Sequence, residues 1–238
     1  PPSTALSRFR KASAMVSSGC YDVVLALGVE KLYHEDKRKS FAAFSGAVDV
    51  EALVEIKAKL AAQAAAKGAD KAAAGAGENR SMFMDIYAAS ARAYMEKYGA
   101  TAEDLAGVSA KNSFHGSMNP RAQFMDVMTV EEVLAAPMIA EPLTRPMCSP
   151  IGDGAAAVVM VSERKARELG IQNPVRVRSS VLRSGWDRAK GEETVAQVCA
   201  REVYEEAGLG AEDLSVIELH DASAPAEITT YESIGLCG

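Results

Sequence analysis

Apolar positions along this chain alternate between helical and extended spacing, and the switches mark out most of its elements. Residues 3–19 place Ala5, Phe9, Ala12, Met15 and Val16 at helical spacing and run into Ser18-Gly19, which predicts a helix closed by a glycine stop. Val23 to Leu27 is continuously apolar, the pattern of a strand in a parallel sheet covered on both faces. Helix, short turn and covered strand together give an α/β signal. Ser81 onward predicts a helix with Ile86, Tyr87, Ala91 and Tyr94 on one face, ending at Lys97-Tyr98-Gly99. Thr101 to Asp104 opens a further short helix by a capping arrangement, and Thr129 to Leu134 predicts another. Gly152 to Val161 repeats the covered-strand pattern, and Ser162 caps a helix ending at Gly170. Val175 to Leu182 alternates as a strand with one polar face, Glu193 to Ala207 is an amphipathic helix stopped by Gly208, and Ser215 to Leu219 is a short strand delivering His220 and Asp221. Ala224-Pro225-Ala226-Glu227 then starts a helix, because proline is tolerated in a first turn whose N–H groups have no intrahelical partner.

From about residue 34 the pattern weakens. Val50 to Lys67 predicts an alanine-rich helix, and Gly68 to Gly77 is a low-complexity Ala/Gly/Lys segment that reads as a flexible lid or linker without chemistry of its own.

Composition narrows the function classes. At 238 residues and 48% hydrophobic, the chain has the material for a sizeable core. Twenty-six Lys and Arg against 32 Asp and Glu leave a net charge of −6, and beyond Lys37-Arg38-Lys39 no basic run exists, which argues against nucleic acid as a partner. No apolar run has the roughly 18 residues of a membrane span. Cys20, Cys148, Cys199 and Cys237 are scattered, and neither they nor His34, His115 and His220 fall at metal-ligand spacing, so a reducing cytoplasm and no metal are expected. The start at Pro1-Pro2 and the stop at Leu236-Cys237-Gly238 read as an internal piece of a longer protein, truncated at both ends.

Position alone makes His220 a candidate. Strand C-termini are where open α/β sheets place chemistry, although a histidine that merely closes a strand fits the same position.

Four segments together carry a resemblance. They are Asp22 to Lys31; Lys111-Asn112 through His115-Gly116 to Asn119-Pro120-Arg121-Ala122-Gln123-Phe124; Cys148-Ser149-Pro150-Ile151-Gly152-Asp153-Gly154-Ala155-Ala156; and His220-Asp221-Ala222 through Glu227 to Tyr231-Glu232. In this order they resemble thiolases, more narrowly those of the sterol-carrier-protein (lipid-transfer) type. The resemblance implies duplicated α/β halves in α-β-α-β-α layers, with a helical loop domain inserted at about 34–125 that helps cover coenzyme A. It divides the chain into part of an N-terminal half, 1–172, and part of a C-terminal half, 173–238. It implies a homodimer, an active site between the halves, no bound cofactor, and a coenzyme A thioester as substrate. The activity implied is acetyl-CoA C-acyltransferase chemistry in lipid or sterol side-chain metabolism, making or cleaving the carbon–carbon bond of a 3-ketoacyl-CoA.

By the same resemblance His220 holds a water or donates toward the thioester oxygen, an interaction worth ~3–4 kcal/mol in well-studied enzymes. Asp221 orients the turn. Ser223 stands where a phenylalanine is usual, which alters the acyl pocket. Asn119 and Pro120 either shape a substrate-facing loop or form an ordinary Asx-Pro turn. The family's nucleophilic cysteine is absent near Pro2, and its Gly-His-Pro and Cys-Gly-Gly segments fall beyond Gly238. The four cysteines present do not replace these groups, so the piece by itself is expected to be inactive. Tyr231 fits a core tyrosine. It also fits an alternative, the cysteine-free thiolase-like retro-aldolases that act on a 3-hydroxyacyl-CoA with a DUF35-type (OB-fold) partner and are thought to use tyrosine for proton transfer. A second alternative is a non-catalytic scaffold that binds acyl-CoA.

Overall fold

The computed structural model describes residues 2–47, 49, 54, 55, 58, 62, 80–185, 188, 189 and 191–237. The Val50–Lys67 helix and the Gly68–Gly77 segment lie almost entirely outside these residues. The chain divides into two compact units, residues 1–31, 152–217 and 230–238 in the first, and 32–151 and 218–229 in the second.

In the first unit, helix α1 (Pro2–Ser17) ends at Gly19, whose φ of +75° suits the left-handed position past a helix end. Strand β1 (Val23–Glu30) follows and pairs with β4 (Gly154–Val161), in the register Val23 opposite Val161 to Glu30 opposite Gly154. The pairing is antiparallel rather than parallel. Helix α1 packs on β1, burying Ala12 and sending the Arg8 guanidinium to the Leu27 carbonyl at 2.8 Å.

Coverage also differs from the sequence reading. Val23, Leu25, Leu27 and Val29 alternate outward and remain exposed, as do residues 154–159 of β4. A continuously apolar strand carries the composition needed for two covered faces; here α1 packs against β1, and the alternate positions of the strand stay open. Ser162 closes the end of the ladder: its N–H donates to the Asp22 carbonyl at 2.8 Å, and its hydroxyl donates to Asp22 Oδ1 at 2.7 Å. The same hydroxyl accepts from Lys165 N at the start of α6 (Glu163–Glu168).

Two strands expected from the pattern are not formed. Residues 175–182 belong to no ladder, and Val175 is 95% exposed. Their polar side chains turn instead to α7 (Val195–Ala207): Arg178 donates to the Ala207 carbonyl at 2.8 Å, Ser179 to Glu206 at 2.7 Å, and just beyond them Arg183 pairs with Glu202 at 2.6 Å. Residues 215–219 are likewise unpaired. An alternating or apolar run becomes a strand only where another backbone supplies its hydrogen bonds, and that partner is not written in the run itself.

The second unit is helical around a small core. Helix α2 (Lys37–Ala43) starts on an Asp36 cap, and α3 (Met82–Tyr98) on a Ser81 cap. Thr101 and Asp104 form a full capping box for α4 (Ala102–Ser117), and Thr129 and Glu132 another for α5 (Val130–Ala135). Helix α4 has 16 residues, longer than the short helix expected. Strands β2 (Met138–Ala140) and β3 (Leu143–Thr144) form a short antiparallel hairpin that the pattern did not announce. Ala88, Ala91, Leu105, Ala106, Val108, Val133, Ala140, Leu143, Met147 and Ala224 make one buried cluster, and the buried Thr144 hydroxyl donates to the Val133 carbonyl at 2.8 Å.

Gly99 turns α3 into α4. Its φ is +73°, and a Cβ there meets no atom within 4 Å, so Gly99→Ala tests backbone conformation alone. It is expected to destabilise the protein by about 1 kcal/mol, read as a lower denaturant midpoint at unchanged slope.

Candidate functional site

Helix α8 (Ala224–Ser233) follows the turn that carries His220 and Asp221. The turn is tied down on its C-terminal side. Ser149 N–H donates to the Ala222 carbonyl at 3.1 Å, and Cys148 and Ser223 form an isolated antiparallel bridge. Ser223 is 1% exposed, and its hydroxyl has no hydrogen-bond partner. Serine here leaves a small polar side chain buried beside the bridge to Cys148.

A polar cluster surrounds Asp221. Asn112, on α4, donates through Nδ2 to Asp221 Oδ2 at 3.1 Å and to Glu227 Oε2 at 2.9 Å. Both acceptors are carboxylate oxygens, so the amide must present its nitrogen to them. Lys111 Nζ makes an ion pair with Glu227 Oε1. Glu227 is 4% exposed in the first turn of α8, where the helix dipole favours negative charge. A carboxylate this buried needs paired, hydrogen-bonded partners to offset its lost hydration, and Lys111 and Asn112 supply them.

Partial burial pushes the Asp221 carboxyl above its ordinary value of 3.8; the nearby Glu227 carboxylate also raises it, while its own backbone N–H, His220 and Lys111 pull the other way. A folded-state value above the unfolded one means that folding favours the protonated form. The contribution is intact below 3.8 and is lost as pH rises through the folded value. Asp221→Asn mimics the protonated group and keeps an oxygen for Asn112. It is therefore expected to stabilise the protein at neutral pH, with the gain shrinking as the pH falls and gone below 3.8, measured by denaturation across that range. A gain that persists under acid would mean that burial does not govern this carboxyl.

The remaining candidates lie apart from this cluster in role. Asn119 and Pro120 sit exposed just past α4, where Asn119 Oδ1 accepts from Arg121 N at 3.0 Å and its carbonyl from Ala122 N at 2.9 Å. Their polar contacts are those of an Asx turn. Gly116 lets the loop fold back, because a Cβ there would stand 3.3 Å from the Phe124 carbonyl oxygen. Tyr231 is half-buried in the third turn of α8, in the part of that helix that belongs to the first unit. Burial pushes the Cys148 thiol up to about 11, a poor setting for a nucleophile, and its Sγ lies 3.5 Å from the Thr144 carbonyl oxygen. Among the described residues no group of three or more His, Cys, Asp or Glu side chains is arranged to hold a metal ion, and no helix is long and apolar enough to cross a membrane.

Lys111, Asn112 and Glu227 appeared in the sequence only as letters of the resemblance. No local pattern pairs Lys111 with a carboxylate 116 positions away.

No protein-family model matches the chain. Among curated proteins it is 44% identical over 155 residues to the benzoylsuccinyl-CoA thiolase subunit BbsB of Thauera aromatica, covering 63% of this chain and 40% of that protein. The acetyl-CoA acetyltransferase of Methanothermobacter thermautotrophicus is 34% identical over 231 residues, 95% of this chain and 54% of that protein. Sterol carrier protein 2 of Oryctolagus cuniculus is 30% identical over 245 residues, 99% and 41%. The chain belongs to the thiolase superfamily. Within it, the relatives named sterol carrier protein 2 and lipid-transfer protein place it with the sterol-carrier-protein type.

A solved structure, the Ltp2-ChsH2(DUF35) aldolase, superposes with a TM-score of 0.71 at 23% identity, covering 99% of this chain and 57% of that one. This likeness establishes the thiolase-like α/β fold. The thiolase-superfamily chain spans about half or less of the length of the curated relatives it matches.

Proposed function

We propose that the protein carrying this chain acts on a coenzyme A thioester, making or breaking the carbon–carbon bond β to the thioester carbonyl as an acetyl-CoA C-acyltransferase of 3-ketoacyl-CoA. The observation that supports this most is the joint one: a relative named acetyl-CoA acetyltransferase aligns with 95% of this chain, and the His220 turn is anchored through Asn112 to the buried Glu227. His220 would donate to the thioester oxygen or hold a water against it, where negative charge develops as the bond forms or breaks. Asp221 and Ser223 shape the turn under that group, and Asn119 and Pro120 contribute a loop toward the substrate. The nucleophile is not assigned to Cys148, whose raised pKa disfavours the thiolate. We take the described units as parts of the duplicated halves of a thiolase homodimer, with the stretch of about 34–125 in the second unit corresponding to the loop domain that covers coenzyme A.

The test is thiolysis of acetoacetyl-CoA or a longer 3-ketoacyl-CoA by the full-length protein with added coenzyme A. Formation of an acyl-enzyme and the shortened acyl-CoA supports the reading; absence of both sinks it.

One observation favours a second reading. The matched fold is that of a DUF35-partnered aldolase, and Tyr231 is half-buried on α8. In that reading a 3-hydroxyacyl-CoA is split into a carbonyl compound and a shorter acyl-CoA without added coenzyme A, with a DUF35 partner present and Tyr231 moving the proton. Product analysis with the two substrates separates the readings, and unchanged ligand from both would leave an acyl-CoA-binding scaffold.

A further inference from the structure

His220 owes its place to a turn, and turns are soft unless something outside them fixes their geometry. Here the outside support comes from α4 and α8. One amide, Asn112 Nδ2, donates to two carboxylates, Asp221 Oδ2 at 3.1 Å and Glu227 Oε2 at 2.9 Å. An amide nitrogen has two hydrogens, so this geometry uses both. Glu227 is in turn held on its other oxygen by Lys111, the residue preceding Asn112 on the same helix, and is itself 4% exposed.

The arrangement is a lever with one fixed end. Glu227 sits in the first turn of α8, Lys111 and Asn112 sit in the last turns of α4, and the free end of the Asn112 amide reaches Asp221, the neighbour of His220 in sequence. If Glu227 only joined two helices, Asn112 would need no second acceptor in the His220 turn.

We propose that Glu227 is a positioning residue: with Lys111 and Asn112 it fixes the Asp221 carboxylate and, through the backbone that Asp221 shares with His220, the orientation of the His220 imidazole. The proposal rests on the reading of His220 as the group that meets the thioester. It adds a support that acts on turnover rather than on substrate capture, because a misaimed donor loses transition-state contact while the thioester still binds.

The experiment uses full-length protein, 3-ketoacyl-CoA thiolysis, and the variants Glu227→Gln, Lys111→Met and His220→Ala, with Glu227→Gln also combined with His220→Ala. Glu227→Gln keeps the volume and an acceptor for Asn112 but gives up the ion pair. It is expected to lower kcat about 10- to 100-fold at nearly constant KM, the scale of a small misplacement at a reacting centre. In the double variant it should cost nothing beyond His220→Ala alone, because a residue that acts through His220 has no effect once His220 is gone.

A readout independent of turnover is the titration of Asp221 followed by carbon NMR of labelled aspartate. Removing the Glu227 charge should move its midpoint down and removing the Lys111 charge should move it up, since the two act on Asp221 in opposite directions. Unchanged kcat in a folded Glu227→Gln protein, a multiplicative loss in the double variant, or a still Asp221 midpoint in both single variants overturns the proposal. If His220→Ala itself leaves turnover intact, the site reading fails and takes this proposal with it. If His220→Ala abolishes turnover and Glu227→Gln does not alter it, only the positioning role fails.

Discussion

Replacing His220 by alanine is expected to reduce kcat by about 10²–10³, with KM for the 3-ketoacyl-CoA little changed, the range seen when one donor to a developing oxyanion is removed. The physical reason is selective. A donor aimed at the thioester oxygen gains strength as that oxygen takes up charge, so deleting it raises the transition state more than the bound ground state. His220 is exposed and ends no ladder, so its removal opens no cavity and folding should survive. Steady-state thiolysis kinetics beside a denaturation curve check both halves of the statement. A kcat loss matched by a large loss of stability would make His220 a structural residue, and an unchanged kcat would remove it from the mechanism.

The largest stability effect belongs elsewhere. Leu105→Ala is expected to destabilise the protein by about 3 kcal/mol, within the ~2–5 kcal/mol range for buried leucines. Leu105 is 1% exposed on α4 and sits in the cluster with Val133, Leu143 and Met147. The transfer of its lost methyl and methylene groups accounts for part of the effect, and the unfilled volume between α4, α5 and the β2–β3 hairpin for the rest. Val175→Ala provides the comparison. At 95% exposure it removes similar apolar matter from a site that already faces solvent, and a change within ~0.5 kcal/mol is expected. Denaturant midpoints at constant slope measure both. Equal effects at the two positions would mean that the α4 cluster does not organise the second unit.

These two expectations also separate the kinds of information in the chain. Leu105 lies on α4, the helix whose opening box the sequence revealed through Thr101 and Asp104, and the box forms as read. The stops at Gly99, Gly170 and Gly208 were legible for the same reason: all three take positive φ past a helix end. His220 and Asp221 were legible as a chemical pair before a helix, although the strand expected in front of them is not formed. Lys111, Asn112 and Glu227 carried no role in the sequence, because their meaning arises only when α4 and α8 bring them together.

By itself, then, the chain's order of residues determined most of its described helices and the caps at Thr101, Thr129 and Ser162, though not the helix at Lys37–Ala43, together with the α/β class and the thiolase-like motif set. Those features depend on contacts within three or four residues or on motifs carried whole. Only the tertiary structure decided that β1 meets β4 antiparallel, that residues 175–182 give their polar side chains to α7 instead of a ladder, and that one buried glutamate reaches the His220 turn through Asn112. Strand direction, exposure and ion pairing are set by a partner more than a hundred residues away in two of these cases, and nothing local in an apolar run or a lone Lys-Asn pair encodes which partner will arrive.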